Sequence, residues 1–215
     1  MTINFQTLGA GSPLIIIHGL FGTSDNLKSV ARQLSDQYQV YLIDAPAHGD
    51  SSTCTPLTIT NMANHVVQFI ETQHLQGCAV LGHSLGGKIA MEVALLHPQL
   101  ISKLIVADIA PVQYEHRHTE IIEGLQSIPL ETLENRKQAD EMLTSYVAEP
   151  GVRSFLLKSL VKRPEAAWQW RFDLDALANN YDNLLKANSK GSFAQPTLFI
   201  KGSESSYILE THRNE

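Results

Sequence analysis

Short apolar runs alternate along the chain with stretches of helical periodicity. Leu14-Ile15-Ile16-Ile17 is wholly apolar and rich in β-branched residues, which predicts a central strand buried on both faces. Apolar residues at 27, 30, 31 and 34 give a helical stripe between Asn26 and Leu34. Tyr38 to Ile43 returns to strand character, and a second helix is predicted from Thr60, with Met62, Val66, Phe69 and Ile70 on one face. Cys78-Ala79-Val80-Leu81 reads as a strand, followed by a helix from about Lys88 to His97. Leu104-Ile105-Val106-Ala107 and Thr197-Leu198-Phe199-Ile200 read as further strands, the last introduced by Pro196. This alternation predicts an α/β fold, with a mostly parallel sheet covered by helices on both faces.

The rhythm changes between Pro111 and about Lys190, where charged amphipathic helical patterns replace strands. Leu125, Ile128, Leu133, Leu143, Leu156 and Leu160 are apolar among many polar positions. The expected organisation is a core of 1–110 and 191–215, with 111–190 inserted as a helical cap over the C-terminal edge of the sheet. Trp168, Trp170 and Phe172 cluster in the cap; they either pack it onto the core, line a pocket, or do both.

Composition narrows the classes. A chain of 215 residues that is 43% hydrophobic can bury one substantial core. Its net charge of −6 and the lack of a Lys/Arg cluster argue against a nucleic-acid partner. Cys54 and Cys78 are too few for a disulfide framework and are expected as reduced thiols, which suits a cytoplasmic protein. Neither a basic, apolar leader nor a long apolar window is visible, so no signal peptide or membrane span is expected.

The chemistry is concentrated at Gly82-His83-Ser84-Leu85-Gly86, between a predicted strand and a predicted helix. This is the G-x-S-x-G context of a nucleophile elbow, with Ser84 as nucleophile. The turn must be tight enough to present the hydroxyl, and glycines at 82 and 86 relieve the crowding. The helix that follows aims its N-terminal N–H groups at the serine. The loop His18-Gly19-Leu20-Phe21-Gly22 follows the first central strand, where a serine hydrolase places one oxyanion donor. The donors would be the N–H groups of Leu85 and Leu20, with Phe21 the alternative to Leu20. His18, His83 and the Asp44…His48-Gly49 loop read as structural, with His83 turned away from Ser84. Asp108 ends the strand after the elbow helix, where ligands bind in open α/β sheets. It could orient a histidine, or anchor the segment that leads into the cap.

Taken together, these motifs and Asp108-Ile109-Ala110-Pro111 resemble the α/β-hydrolase superfamily. Within it the chain is similar to small bacterial esterases of the YbfF type, in order and spacing across nearly its whole length. The resemblance implies hydrolysis of short- to medium-chain acyl esters or thioesters, without a cofactor or metal, with Ser84 as nucleophile and Asp108 as acid. It also implies a supporting role for Ser205, with Glu204 the fallback acid. In this fold the catalytic histidine comes last. Of the histidines after Asp108, His116 and His118 open the cap and His212 lies in the terminal stretch; none sits on the expected loop. The expectation is therefore a chain truncated before its catalytic histidine, with an uncovered sheet edge that invites self-association. A substitute base, or a non-catalytic binding protein on the same scaffold, are the alternatives; a cofactor-free C–C hydrolase or perhydrolase would also share the serine.

Overall fold

The computed structural model describes residues 2–162 and 167–214. Residues 163–166 of the expected cap, with Met1 and Glu215, lie outside them. In chain order the strands are β1 (Phe5–Leu8), β2 (Ser12–Ile17), β3 (Tyr38–Ile43), β4 (Cys78–His83), β5 (Ile101–Ala107), β6 (Leu160–Lys162), β7 (Trp168–Trp170) and β8 (Thr197–Ile200). The helices are α1 (Lys28–Leu34), α2 (Ile59–Thr72), α3 (Leu85–Leu96), α4 (Thr119–Ser127), α5 (Arg136–Leu143), α6 (Pro150–Leu157), α7 (Leu174–Asn179) and α8 (Tyr181–Leu185). The main sheet has the order β1-β3-β2-β4-β5-β8. Its neighbours are parallel except β1, which runs antiparallel to β3.

Side-chain alternation divides the core. Leu14, Ile16, Val40 and Leu42 pack on the face that also buries Ala31 of α1. Ile15, Ile17, Tyr41, Ile43 and Val80 face the larger core built with α2 and α3. Each fully buried Leu or Ile contributes roughly 1.5–3 kcal/mol, so β2, with Ile15, Ile16 and Ile17 at 0% exposure, is the best-buried strand. Both cysteines are buried and free, and burial pushes the Cys78 thiol up to about 12.

Two elements differ from the sequence expectation. β1 was not anticipated, because its four residues, Phe5-Gln6-Thr7-Leu8, carry two polar side chains at the centre and no apolar run. The expected all-helical insertion also contains a hairpin, β6 paired antiparallel with β7. Its strands are three residues each, too short to show a period against the flanking helical pattern.

The insertion is tied to the elbow helix by buried polar contacts. Lys88 of α3 is 2% exposed and donates to the carbonyls of Val112, Leu185 and Lys186, where the chain enters and leaves the helical segment. Burial pushes the Lys88 ammonium down to about 8, opposed by the Glu92 carboxylate one turn further on. Glu92 accepts from Thr60, Asn188 and Ser189, which fastens the outgoing segment to α2 and α3. At the other end of the sheet β8 is uncovered, with Leu198, Phe199 and Ile200 at 55%, 48% and 46% exposure.

The turn between β4 and α3 is the tightest backbone crossing. A Cβ on Gly82 would collide with the Gly86 carbonyl, and one on Gly86 with the carbonyls of Ile17 and His18. Gly82→Ala is therefore expected to destabilise the fold by about 1–3 kcal/mol or more through backbone overpacking. Gly151→Ala, in the first turn of α6 with open space around it, is expected to stabilise by up to about 1 kcal/mol. Denaturant midpoints measure both; equal effects at the two positions would contradict the packing argument.

Candidate active site

Ser84 is the residue between β4 and α3, and its backbone is held at φ 52° and ψ −120°, a conformation a non-glycine residue adopts only under constraint. The constraint is visible in the ladder. The Ser84 N–H donates to the Ala107 carbonyl at 2.9 Å, and the Ser84 carbonyl accepts from Gly87 and Lys88. α3 begins at Leu85 rather than near Lys88, so its free N-terminal N–H groups start beside the serine.

The loop after β2 lies against this elbow. A Cβ on Gly19 would sit 3.1 Å from the Ser84 Cβ, so a larger residue there would have to push the elbow back by a few tenths of an ångström. Two buried histidines hold that loop. His18 Nε2 accepts from the Ala45 N–H at 3.0 Å, so its proton is on Nδ1, which lies 2.8 Å from the Gly19 carbonyl. His48 Nε2 accepts from the Phe21 N–H at 3.1 Å, and its Nδ1 faces the Pro46 carbonyl at 3.0 Å. The rings stand edge to face with centroids 5.2 Å apart. Burial lowers both pKa values, that of His48 to about 3, so both are neutral and carry one donor and one acceptor each. Beside them, burial disfavours the Asp44 charge, but donors from Ser24, Asn4 and Asp50 outweigh it and hold the carboxyl below its usual range.

These bonds distinguish the Phe21 N–H from the Leu20 N–H. The Phe21 N–H is taken by His48, whereas the Leu20 and Leu85 N–H groups have no acceptor among the described residues. Phe21 serves the loop differently. Its carbonyl accepts from the buried Ser159 hydroxyl at 3.0 Å, and its ring packs against Phe172 at 5.3 Å. Phe172 in turn stacks on Trp170 at 5.3 Å and 10°. Trp168, Trp170 and Phe172 line neither cavity at Ser84, so the packing alternative describes them.

Asp108 follows β5 at φ 58° and lies on the strand next to that of Ser84. Its N–H donates to Ile200, and its Oδ1 accepts from the Gly202 N–H at 3.2 Å, which ties it to the loop after β8. Ser205 is in that loop, close to Gly202, with its hydroxyl accepting from the Tyr207 N–H at 3.2 Å; Glu204 is exposed. Among the described residues, no histidine ring is hydrogen-bonded to Ser84 or to Asp108. His116 pairs with Asp182 on the surface, and His212 Nδ1 accepts from the Leu209 N–H. His83, expected to turn from Ser84, is exposed and lines the larger cavity with it.

Two chambers meet at Ser84. One encloses about 370 Å³ with Phe21, Ile121, Val152, Phe155 and Leu156 among its walls. The other, about 40 Å³, is walled by Ile109, Tyr114, Leu184, Leu185 and Tyr207. His118 lines both, a position sequence reasoning missed because its partners Tyr181 and Tyr207 are remote in the chain.

The α/β hydrolase fold family matches residues 12–147. The chain belongs to this family. Among solved structures, a marine microorganism esterase superposes with a TM-score of 0.94 at 36% identity, covering 98% of this chain and 84% of that one. Esterase YbfF of Escherichia coli is 33% identical over 205 residues, 95% of this chain and 79% of its own length. The sn-1-specific diacylglycerol lipase ABHD11 of Danio rerio is 34% identical over 216 residues, 95% of this chain and 67% of its own length. The chain is thus an α/β hydrolase of the esterase/lipase type. Among its described residues no helix is long and apolar enough to cross a membrane.

The buried histidine at 48 makes this α/β hydrolase sensitive to acid. Between the folded pKa of about 3 and the ordinary 6.5, the unfolded chain binds a proton that the folded chain excludes, so stability rises with pH through that window. This contribution is complete above 6.5, and each pH unit below it is expected to lose about 1.4 kcal/mol. Denaturant melts between pH 4.5 and 8 check it: the slope should flatten in His48→Gln, and identical slopes would contradict it.

Proposed function

We propose that this α/β hydrolase is a serine esterase for short- to medium-chain acyl esters, with thioesters as a related class, acting through an acyl-serine intermediate. The observation that carries the reading is Ser84, held in a strained turn at the start of α3 next to Leu85, and lining both chambers together with Leu20. The Ser84 hydroxyl attacks the acyl carbon, the carbonyl π bond opens, and the oxygen takes charge between the Leu20 and Leu85 N–H groups. These donors are fixed before the charge develops, and each is worth about 2.7–4 kcal/mol in the transition state. The bond to the alkoxy or thiolate group then breaks, the serine proton passes to that leaving group, and water hydrolyses the acyl-serine. Asp108 is the carboxylate of the set, at the end of the neighbouring strand, and Ser205 supports its loop. The esterase names of the relatives support this chemistry for the chain.

A fluorophosphonate probe with peptide mapping tests the reading. The expected result is one label on Ser84, abolished in Ser84→Ala, together with hydrolysis of p-nitrophenyl acetate. Since no histidine is bonded to Ser84 among the described residues, added imidazole is expected to accelerate turnover above a Ser84→Ala control. A chain with a native melting curve and neither label nor turnover would overturn the proposal in favour of a binding protein.

A further inference from the structure

His118 lines both chambers, as do Leu20 and Ser84, and its hydrogen bonds specify both how it is held and what it cannot do. The Tyr181 hydroxyl oxygen accepts from the backbone N–H groups of Arg117 at 3.3 Å and His118 at 3.1 Å. With its oxygen so occupied, its own proton must be donated, and the acceptor at 2.6 Å is His118 Nδ1. The ring proton is then on Nε2, which donates to the Tyr207 hydroxyl at 3.1 Å. Burial lowers the pKa of this ring, with Arg117 adding to the effect, in agreement with a neutral imidazole. Both nitrogens are engaged, so His118 presents no free lone pair to Ser84. Its ring is also braced against Phe21, with centroids 6.4 Å apart. The clamp joins three remote pieces of chain: the segment leading into α4, the start of α8, and the loop after β8.

The spaces on the two sides of this ring differ about ninefold in volume, 370 against 40 Å³. A cavity needs roughly 10–15 Å³ of this kind for one water, so the smaller one holds only a few waters or a group of one or two carbons. Both open to solvent on one side; the larger has apolar walls from α4 and α6 and accommodates an extended chain.

We propose that His118 is a specificity-determining partition, which makes the preferred ester one with a short arm and an extended apolar arm. The inference rests on the function proposed above, since it places the reacting carbonyl at Ser84. Which arm is acyl and which is alcohol is read from methyl octanoate against octyl acetate; the partition requires that one or both be preferred to octyl octanoate. The alternative is a single adaptable cavity that takes two long arms.

The test separates the partition from catalysis by using inert isomeric ketones on the Ser84→Ala protein. 2-Undecanone has a methyl and a nonyl arm, while 6-undecanone has two pentyl arms and the same composition. Binding followed by NMR titration is expected to favour 2-undecanone by about tenfold or more, since excluding even two CH₂ groups from an apolar site costs that much. Adding His118→Ala is expected to bring the two ketones within about twofold by merging the chambers. Tyr181→Phe keeps the ring volume, removes the proton donated to Nδ1, and is expected to weaken the preference in the same direction. It serves where His118→Ala does not fold, as judged by thermal melting. Equal binding of the isomers to the Ser84→Ala protein, or an unchanged ratio in folded variants, would overturn the partition. Absent labelling of Ser84 would overturn the catalytic reading alone, because the ketone ratio does not depend on a nucleophile.

Discussion

The structure depends on one close approach of backbone to backbone, where β4 turns into α3 beside the end of β2. Gly82 and Gly86 face carbonyls at distances that admit no side chain, so strand, turn and helix converge at one point. Gly87 extends the contact, since a Cβ there would collide with Ile109 just after β5. The position of Ser84 follows from that convergence. Its left-handed φ is maintained because the Ala107 carbonyl holds its N–H from one side and α3 takes its carbonyl from the other. A strained residue persists only where its surroundings over-determine it, and here the surroundings are the best-buried strands of the molecule.

The neutral histidine pair extends that rigidity to the loop after β2. A loop that presents free N–H groups must satisfy its other polar groups without adding charge near the site. A buried carboxylate could accept hydrogen bonds but could not also donate to a carbonyl, whereas a neutral imidazole does both. His18 and His48 each accept from one backbone N–H and face one backbone carbonyl, joining the loop after β2 to the loop after β3. Charge is placed one step further out, on Asp44, where three donors compensate it. The arrangement leaves Leu20 as the free donor because Phe21 is already committed.

What the sequence made legible were the features with a local signal. The buried strands were visible as apolar runs, and the elbow as glycines at fixed offsets between strand and helix. β1 and the β6–β7 hairpin escaped because their three or four residues mix polar with apolar side chains, whereas β8, equally short, shows an apolar run. Which of the Leu20 and Phe21 N–H groups is bonded within the core was unreadable from the sequence, since the acceptor for Phe21 is a histidine 27 positions away. His118 was visible only as a histidine at the wrong place for a catalytic base. Its partners, 63 and 89 positions further on, are brought to it by the docking of the helical segment, for which no local pattern stands.

That docking also fastens the walls of the site. Lys88 fastens both ends of the helical segment to α3, and Glu92 fastens the outgoing end again through Asn188 and Ser189. α3 begins just after Ser84, so these ties hold the smaller chamber, whose walls include Lys88, Leu184 and Leu185, in register with that residue. The larger chamber is walled instead by Ile121 of α4 and by Val152, Phe155 and Leu156 of α6, and just after α6 the buried Ser159 hydroxyl donates to the Phe21 carbonyl of the loop after β2. Both chambers are therefore fastened to the core, the smaller through Lys88 and Glu92 and the larger through Phe21.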